Sequence, residues 1–432
     1  MHGTFCICTN NSTNIIIVSP CSCDDDKSDD EYAFVRALRM SGGDGANSYS
    51  ANSLLQRRVL SMARPVLVRN TEDMMMNLDF PGYIKVAELG CSSGQNSFVA
   101  ISEIINTVNL LCQQLNKNPP EIDCCLNDLP ENDFNTTFKF VPFFNNELMI
   151  TNKSSCFVYG APGSFYARLF SRNSLHFVHS CYALHFLSKV PEKHVNDKGS
   201  VYITSSSPQS TYKAYLNQFQ KDFTLFLRLR SEEIVSNGRM VLTFIGRNTL
   251  NSDPLYRDCC HFWTLLSKSL RDLVFEGHVS ESKLDEFNMP FYDPNEQELE
   301  EVIRNEGSFE INDLEKHVFD LGLSNNNNEE DDYEAGYNEA NCIRAVTEPM
   351  LVAHFGEDII DILFDRYAHH VANHASCRNK TSVTLVYSGI NILVYQSLRH
   401  GKNSHDNPKH IADVKQDLML IENQLPCFIF KM

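Results

Sequence analysis

Ile84-Lys-Val-Ala-Glu-Leu-Gly-Cys-Ser-Ser-Gly94 is an alternating apolar run that ends directly in a turn bounded by two glycines. The alternation predicts a short buried strand, because successive side chains of a strand point to opposite faces. A stretch with apolar residues at helical spacing follows, from Phe98 to Leu115. The order of strand, glycine turn and helix is typical of an α/β sheet, in which such a turn lies at the carboxyl end of its strand.

The same pattern predicts further strands along the chain. They are Glu121 to Asn127, Ser174 to His179, Ser200 to Thr204 and Arg239 to Ile245, the last preceded by a helix from Tyr212 to Val235. This alternation predicts mostly parallel strands. From residue 258 to residue 374 the pattern is mainly helical and predicts a cap over the sheet, interrupted by a solvated loop at 325–332.

The two ends of the chain differ from its middle. Residues 1–39 have weak periodicity and end in an Asp-rich run, so we expect a disordered or non-native leader, with Met40 as the start of the enzyme at 40–388. Residues 389–432 are an atypical extension. Their segment from Asp413 to Phe430 resembles a fragment of an unrelated plant family, as a misjoined gene would produce.

Composition excludes several classes of partner. There are 37 Lys plus Arg against 55 Asp plus Glu, and the net charge of −18 would repel nucleic acid. No apolar run is long enough to cross a membrane. Fifteen cysteines, an odd number, indicate reduced thiols rather than a disulfide framework. We therefore expect a cytoplasmic protein.

Two acidic strand ends are candidates for nucleotide binding. Gly90 and Gly94 would let the backbone pass close to a cofactor, and Glu88 could bind a cation or a ribose hydroxyl. Asp128 ends the next predicted strand, too far along the chain for the usual NAD pattern. A simple turn, or a turn residue before Pro130, explains the same residues on sequence alone.

Two aromatic segments could form a pocket or a core. Ala161 to Tyr166 is a turn with a hydroxyl and two rings, suited to stacking on an adenine or to a surface turn. Tyr182, His185 and Phe186 have the i, i+3, i+4 spacing that predicts one face of a helix, which could be a pocket wall or core. His185 has no partner motif that would indicate a metal site.

Several motifs, taken together and in order, carry a resemblance to a known family. They are Met40-Ser-Gly-Gly-Asp-Gly-Ala-Asn-Ser-Tyr49, Glu88 to Gly94, Leu126-Asn-Asp-Leu-Pro130, Gly163-Ser-Phe-Tyr-Ala-Arg-Leu-Phe170, Glu286-Phe-Asn-Met-Pro290 and Arg344-Ala-Val-Thr-Glu-Pro349. With them the chain resembles the plant SABATH methyltransferases, which methylate small carboxylic acids or caffeine-pathway heterocycles. The resemblance implies a Rossmann-like methyltransferase sheet with a mainly helical cap.

The resemblance also implies roles for individual residues. The residues expected to bind S-adenosylmethionine, with Gly90 added from the turn argument above, are Tyr49, Ser53, Glu88, Gly90, Asp128, Leu129, Ser164 and Phe165. Those expected to surround the acceptor are Gln56, Tyr182, His185, Phe186, Trp263, Ile343 and Val346. Some family members hold magnesium, and the matching positions are Asp197, Asp285, the Phe287 carbonyl and Asn288, although an acidic surface loop explains them equally well. A homodimer is also implied.

Three residues depart from the family pattern. The usual strand-end Asp is Glu88, a frequent Lys is Ser41, and the carboxylate-binding Trp is Phe186. Loss of that indole donor would cost about 1–3 kcal/mol of acceptor binding, unless His185 or Gln56 replaces it.

The expected reaction is methyl transfer from S-adenosylmethionine to the carboxylate of a small plant acid of the salicylate, benzoate or jasmonate type. Such an acid is ionised at neutral pH and requires no general base, so Gln56, Tyr182 and Trp263 are expected to position it. The alternatives are N-methylation of a heterocycle such as a xanthine, and a family member that binds ligand without turnover.

Overall fold

The computed structural model describes residues 36–151, 155–191, 198–204, 207–247, 261–320, 329–373 and 381–391. One seven-stranded sheet organises them, with the strand order β3-β2-β1-β4-β5-β7-β6. The first five strands in this order are parallel, whereas β7 runs antiparallel to both β5 and β6. The predicted α/β class with mostly parallel strands is confirmed.

The strands and helices alternate over the first half of the chain. The strands are β1 (Tyr83–Leu89), β2 (Glu121–Asp128), β3 (Cys156–Pro162), β4 (Leu175–Cys181), β5 (Ile234–Gly246), β6 (Phe309–Asp320) and β7 (Thr381–Asn391). The helices are α1 (Tyr49–Asn52), α2 (Leu54–Asn77), α3 (Asn96–Gln114), α4 (Phe134–Phe138), α5 (Val141–Thr151), α6 (Gln209–Glu233), α7 (His261–Phe275), α8 (Glu281–Glu286), α9 (Glu296–Glu306), α10 (Glu329–Phe355) and α11 (Ile360–Asn373).

The sheet divides the apolar core into two layers. On β1, Ile84 and Val86 belong to the layer that α2 and α3 cover, and Ala87 and Leu89 belong to the other layer. The second layer contains α6 and the cap helices α7, α10 and α11. Alternate side chains of a strand point to opposite faces, which is why a buried strand can serve both layers.

The turn after β1 requires glycine at position 90. Gly90 has a φ of +73°, and a Cβ there would lie 2.3 Å from the Ala183 Cβ. The amides of Gly90 and Cys91 both donate to the Asn127 carbonyl at 2.9 Å, which joins the ends of β1 and β2. The strand ends that carry Glu88 and Asp128 are therefore neighbours.

Two predictions of local structure are wrong. Ser200 to Thr204 is not a strand, because side chains take its backbone donors: Val201 N–H donates to Ser267 Oγ and Thr204 N–H to Ser207 Oγ. Residues 180–188 are not a helix either. Tyr182 has a φ of +55°, and the chain turns there into a bridge between Phe186 and Phe291.

The cap is mainly helical, as predicted, but β6 also lies within it and joins the sheet edge through β7 alone. This edge strand contains charged residues such as Glu310, Asp313 and Glu315, so its sequence lacks the clear alternation of apolar and polar residues that predicts a strand. Of the predicted loop at 325–332, residues 325–328 lie outside the described residues, and α10 begins at Glu329. Residues 1–35 of the leader and 392–432 of the extension also lie outside them.

The described residues contain no membrane-spanning helix, and their cysteines are not paired. None of their helices combines the length and apolar character needed to cross a bilayer. The cysteines for which the structure gives side chains are free thiols, namely Cys91, Cys112, Cys124, Cys125, Cys156, Cys181 and Cys342.

Candidate active site

A cavity of about 410 Å³ lies at the carboxyl ends of β1, β2 and β4, under α10 and α7. Its wall includes every residue expected to bind the cofactor or the acceptor except Ser53 and Glu88. Ligands in open α/β sheets bind outside the carboxyl ends of the strands, where loops can reach them. Asp128 and the two aromatic segments, which the sequence left open as turn or core, therefore lie at one site.

The segment before α1 closes one side of the cavity. Ser41 N–H donates to the Ala345 carbonyl at 2.8 Å, and Tyr49 N–H donates to the Ser41 carbonyl at 2.9 Å. Leu38, Met40 and Tyr49 line the cavity as a result. Leu38 lies within the predicted leader, so at least this part of 1–39 contributes to the site; the boundary at Met40 stays a prediction.

Asp128 is the acidic group in the cavity wall. Its carboxylate accepts hydrogen bonds from Ser92 N–H and Leu129 N–H, each at 2.7 Å. Burial raises the pKa of Asp128 to about 6, and the two backbone donors act in the opposite direction. At neutral pH the group is ionised, and its remaining lone pairs can accept from ligand hydroxyls.

The turn after β3 places an aromatic ring beside Asp128. Gly163 N–H donates to the Asp128 carbonyl at 2.8 Å, and the guanidinium of the buried Arg230 donates to the Phe165 carbonyl at 3.0 Å. Phe165 packs edge-on against Tyr166, with ring centroids 4.7 Å apart. This end of the cavity thus offers a carboxylate and a fixed ring, the groups that a nucleoside requires.

Two observations test whether a nucleoside-type cofactor fits here. The Ser92 hydroxyl oxygen is buried and has no hydrogen-bond partner among the described residues, so a polar donor is available in the wall. At Gly94, with φ +101°, a Cβ would lie 2.6 Å from Ser50 Oγ, so the turn is compact because it lacks a side chain. The residues present fit S-adenosylmethionine at this end.

Ser53 and Glu88 do not line the cavity. Ser53 Oγ accepts from Asn96 Nδ2 at 2.8 Å, which ties the start of α2 to the start of α3. Glu88 Oε2 lies 2.5 Å from His179 Nδ1, and both side chains are buried. Glu88 and His179 are direct neighbours on β1 and β4, so this contact joins the two strands. The expected cofactor contacts of Ser53 and Glu88 stay predictions.

Tyr49 stands between the two ends of the cavity. Burial raises the pKa of its phenol well above the usual value, and the nearby Cys181 and Cys342 thiols add to this effect. Asp128 and Glu88 act on it in the same direction. Tyr49 is therefore a neutral hydroxyl at the point where the cofactor end meets the acceptor end.

The turn that replaces the predicted helix brings Tyr182, His185 and Phe186 into the wall. Tyr182 N–H donates to the Thr243 carbonyl at 2.9 Å, and its hydroxyl lies 2.6 Å from Thr384 Oγ1 on β7. The rings of Tyr182 and His185 have centroids 5.6 Å apart, and those of His185 and Phe186 are 5.1 Å apart. The spacing that predicted one helix face produces a pocket wall here.

His185 is a neutral hydrogen-bond donor. Its Nδ1 accepts from Ile245 N–H at 3.4 Å, so the proton of the neutral ring is on Nε2. Burial lowers the pKa of His185 to about 3, although Asp293 acts in the opposite direction. The imidazole therefore carries no charge at neutral pH, and it can donate to an anion without forming an ion pair.

The rest of the acceptor wall comes from the helices. Gln56 on α2 is buried, and its amide oxygen accepts from the Cys342 thiol at 4.0 Å, which leaves the amide N–H₂ as the donor of this side chain. Trp263 on α7 packs edge-on against Phe291, with centroids 5.3 Å apart. Ile343 and Val346 on α10 complete the wall.

Several wall residues were not predicted from the sequence. They are Leu55, Ser92, Cys181, Phe262, Phe291 and Cys342, with a few neighbours. Most are adjacent to a predicted site residue, so the neighbours of each motif were the available signal. Phe291 had only its position after the Glu286 to Pro290 motif.

The predicted magnesium ligands do not form a site within the described residues. Asp285 accepts from Gly199 N–H at 2.8 Å and lies 4.0 Å from Lys198 Nζ. Its carboxylate therefore has an N–H donor and an ammonium group as partners. Asn288 Nδ2 donates to the Glu286 carbonyl. Asp197 lies outside the described residues, and no cluster of three His, Cys, Asp or Glu occurs among those described. We derive no chemical step through magnesium.

Comparisons with known proteins agree with this geometry. A family model for SAM-dependent carboxyl methyltransferases matches residues 35–389. A salicylate/benzoate carboxyl methyltransferase of Arabidopsis thaliana is 83% identical over 365 residues, covering 84% of this chain and 95% of that protein. A benzoic acid/salicylic acid carboxyl methyltransferase of Petunia hybrida is 41% identical, covering 82% and 98%.

A solved structure gives the same result for the fold. A loganic acid methyltransferase with SAH has a TM-score of 0.70 and 34% identity, covering 82% of this chain and 98% of that one. The predicted Rossmann-like sheet and the predicted resemblance are confirmed. The chain belongs to the SAM-dependent carboxyl methyltransferase family and is an S-adenosylmethionine-dependent methyltransferase.

Proposed function

We propose that this enzyme transfers the methyl group of S-adenosylmethionine to the carboxylate of a small aromatic acid, giving a methyl ester. One observation carries the proposal. A single cavity joins the buried Asp128 carboxylate to an aromatic wall whose buried donors, Gln56 and His185, are neutral. The acids named for the related salicylate/benzoate enzymes support this acceptor class.

Neutral donors suit a carboxylate that must act as a nucleophile. An Arg or Lys in direct contact would form a strong charge-assisted pair with the acid and withdraw electron density from the reacting oxygen. His185 Nε2–H and the Gln56 amide can hold the second oxygen and leave the first one available. The acid is positioned without losing its charge.

No residue of the wall has to remove a proton. An aromatic carboxylic acid, with a pKa of about 4, is already ionised at neutral pH. When bound, S-adenosylmethionine supplies a sulfonium-activated methyl group, the electrophile of the reaction. The protein's contribution is to align the reacting oxygen in a cavity lined in part by Tyr49, Tyr182 and Trp263, from which a bound acid displaces water.

The acceptor is tested by identifying the product. The protein is incubated with methyl-labelled S-adenosylmethionine and benzoate, salicylate, jasmonate, loganic acid or a xanthine, and the products are analysed by mass spectrometry. We expect label in the benzoate or salicylate product, and its release by alkali, because esters hydrolyse in base. An alkali-stable product from the xanthine alone would instead establish the N-methyl alternative.

The same panel tests the inactive alternative. A protein that binds S-adenosylhomocysteine in calorimetry yet labels none of the acceptors would be a family member without turnover. The Asp128→Asn variant serves as the control for background label, because it weakens the cofactor end alone.

Three further predictions from the sequence stay proposals. They are the homodimer, the cytoplasmic location and the use of magnesium. Sedimentation of the protein with and without magnesium tests the homodimer, and activity in the presence of a chelator tests the use of magnesium.

A further inference from the structure

The described part of the cavity wall contains one acidic and one basic side chain. One is Asp128 at the cofactor end, and the other is Lys189, the sole lysine or arginine among the wall residues that the structure describes. Lys189 is exposed, whereas the donors Gln56 and His185 are buried. Lys189 therefore lies at the rim, between solvent and the acceptor end.

The backbone that carries Lys189 is fixed on its inner side. Leu187 N–H donates to the Pro290 carbonyl at 2.8 Å, and both the amide and the hydroxyl of Ser188 donate to Asp222, at 2.8 and 2.7 Å. Asp222 is buried and also accepts from Gln218 Nε2 at 2.9 Å. These hydrogen bonds fix the backbone on the amino-terminal side of Lys189 and so keep its Cα at the rim of the cavity.

Among the residues whose side chains the structure describes, no carboxylate forms an ion pair with the Lys189 ammonium group. Asp222 is near enough for the lysine charge to act on its pKa, but its own oxygens are already taken by Ser188 and Gln218. The positive potential of Lys189 is thus directed to the cavity mouth and to solvent.

An anionic substrate meets an electrostatic obstacle at this protein. The chain has a net charge of −18, and one of its negative charges, that of Asp128, lies in the cavity wall. The neutral donors at the acceptor end do not offset this field. A cation at the mouth would lower the free energy of the anion on entry, and it would do so without pairing with the reacting oxygen.

We propose that Lys189 is the entrance cation of the acceptor site, which attracts the carboxylate and leaves its final binding to His185 and Gln56. This inference rests on the proposed function, because only an anionic acceptor would need such a group. It identifies Lys189 as a specificity-determining residue, since a neutral acceptor gains nothing from it.

The test compares Lys189→Gln and Lys189→Glu in the full-length protein, with benzoate and salicylate as the acids. We expect the KM for the acid to rise about threefold in Lys189→Gln and about tenfold in Lys189→Glu. The second variant has the larger effect because it changes the charge of the side chain by two units instead of one. kcat changes little, since the reacting oxygen is held elsewhere. The KM for S-adenosylmethionine does not rise, because that ligand carries a net positive charge.

Lys117→Glu is the matched control. Lys117 is exposed, lies before the amino end of β2 at the opposite edge of the sheet, and gives the same change in net charge. It should leave the KM for the acid unchanged. Raising the salt concentration from about 0.05 M to about 0.5 M should remove most of the difference between wild type and Lys189→Glu, because screening shortens the range of the field.

Equal values of KM for wild type and Lys189→Glu at low salt would overturn the proposal, and so would an equal rise in Lys117→Glu. A large fall in kcat with Lys189→Gln, rescued by Lys189→Arg, would show a direct ligand of the carboxylate and overturn it as well. Failure of the proposed function looks different, because wild type would then methylate none of the acids.

Discussion

The two ends of the cavity hold their ligands by opposite means. At the cofactor end, a buried carboxylate on Asp128 is fixed by the amides of Ser92 and Leu129. At the acceptor end, burial removes the charge of His185 and leaves a neutral donor. The comparison shows that burial acts on both groups, but backbone hydrogen bonds preserve the anion at one end, whereas no such compensation keeps the imidazole charged at the other.

This difference suits the two partners of the reaction. A positively charged methyl donor is stabilised beside a carboxylate, and an anionic acceptor keeps its nucleophilicity among neutral donors. Interchanging the charges would weaken both effects. The following experiments therefore change one end and measure both.

The largest expected effect is at the cofactor end. Asp128→Asn keeps the size of the side chain but removes its charge and one of the two oxygens that accept from backbone N–H groups. The Kd for S-adenosylhomocysteine should therefore rise about 100-fold. Calorimetry measures this Kd. Asp123→Asn, on the same strand but outside the cavity wall, is the control and should change the Kd little. A similar loss in both variants would indicate damage to β2 instead.

The next largest effect is at the acceptor end. His185→Phe keeps a ring but removes the Nε2–H donor, so the KM for benzoate should rise about 30-fold, equivalent to about 2 kcal/mol. The Kd for S-adenosylhomocysteine should stay within about twofold. Because Trp263 is the single tryptophan and lies in this wall, its fluorescence should report acid binding directly. Unchanged acid binding in His185→Phe would show that His185 does not donate a hydrogen bond to the acid.

The pH dependence separates the two ends without a mutation. Asp128 has a raised pKa of about 6 in the folded protein, so it takes up a proton as the pH falls below that value and loses affinity for the cofactor. The Kd for S-adenosylhomocysteine should rise towards tenfold per pH unit well below about pH 6. His185, with a pKa of about 3, should give no break in acid binding between about pH 5 and pH 8. Asp128→Asn should remove the break in cofactor binding.

His185 and Asp128 also predict opposite trends in stability. The pKa of His185 is lowered on folding, so the unfolded chain binds more protons below about pH 6.5, and this group favours folding more as the pH rises from about 3 to 6.5. The pKa of Asp128 is raised, so its contribution to stability is lost as the pH rises from about 4 to 6. Thermal unfolding of Asp128→Asn and of His185→Phe should therefore differ from wild type with opposite slopes against pH. Parallel slopes would contradict the assigned protonation states.

The smallest expected effect comes from restoring a donor. Phe186→Trp adds an indole N–H beside His185, so the KM for benzoate should fall about threefold if that group reaches the acid. Phe186→Tyr is the control for added size with a different donor position. A rise in KM for both would show that the contact of Phe186 with Phe291 sets the pocket volume instead.

The cofactor end could be predicted from the sequence because its residues lie next to strand ends. Gly90 and Asp128 follow alternating runs that mark β1 and β2, and backbone geometry alone makes them neighbours. Glu88 was harder, because its contact with His179 depends on the register of β1 against β4, which no local pattern encodes.

The acceptor end was predicted as a set of residues but not as a structure. Tyr182, His185 and Phe186 have a spacing shared by a helix and by the turn that follows β4, and only the positive φ of Tyr182 decides between them. The tautomer of His185 depends on the N–H of Ile245, which is 60 residues away in the chain. Such contacts are set by tertiary packing, so sequence periodicity could not reveal them.

The most direct test of a charged cofactor end and a neutral acceptor end is a crystal structure of the enzyme with S-adenosylhomocysteine and benzoate. The account predicts ribose hydroxyls on Asp128, and the carboxylate within about 3.2 Å of His185 Nε2 and the Gln56 amide nitrogen. A carboxylate paired directly with Lys189, or turned away from both neutral donors, would contradict it.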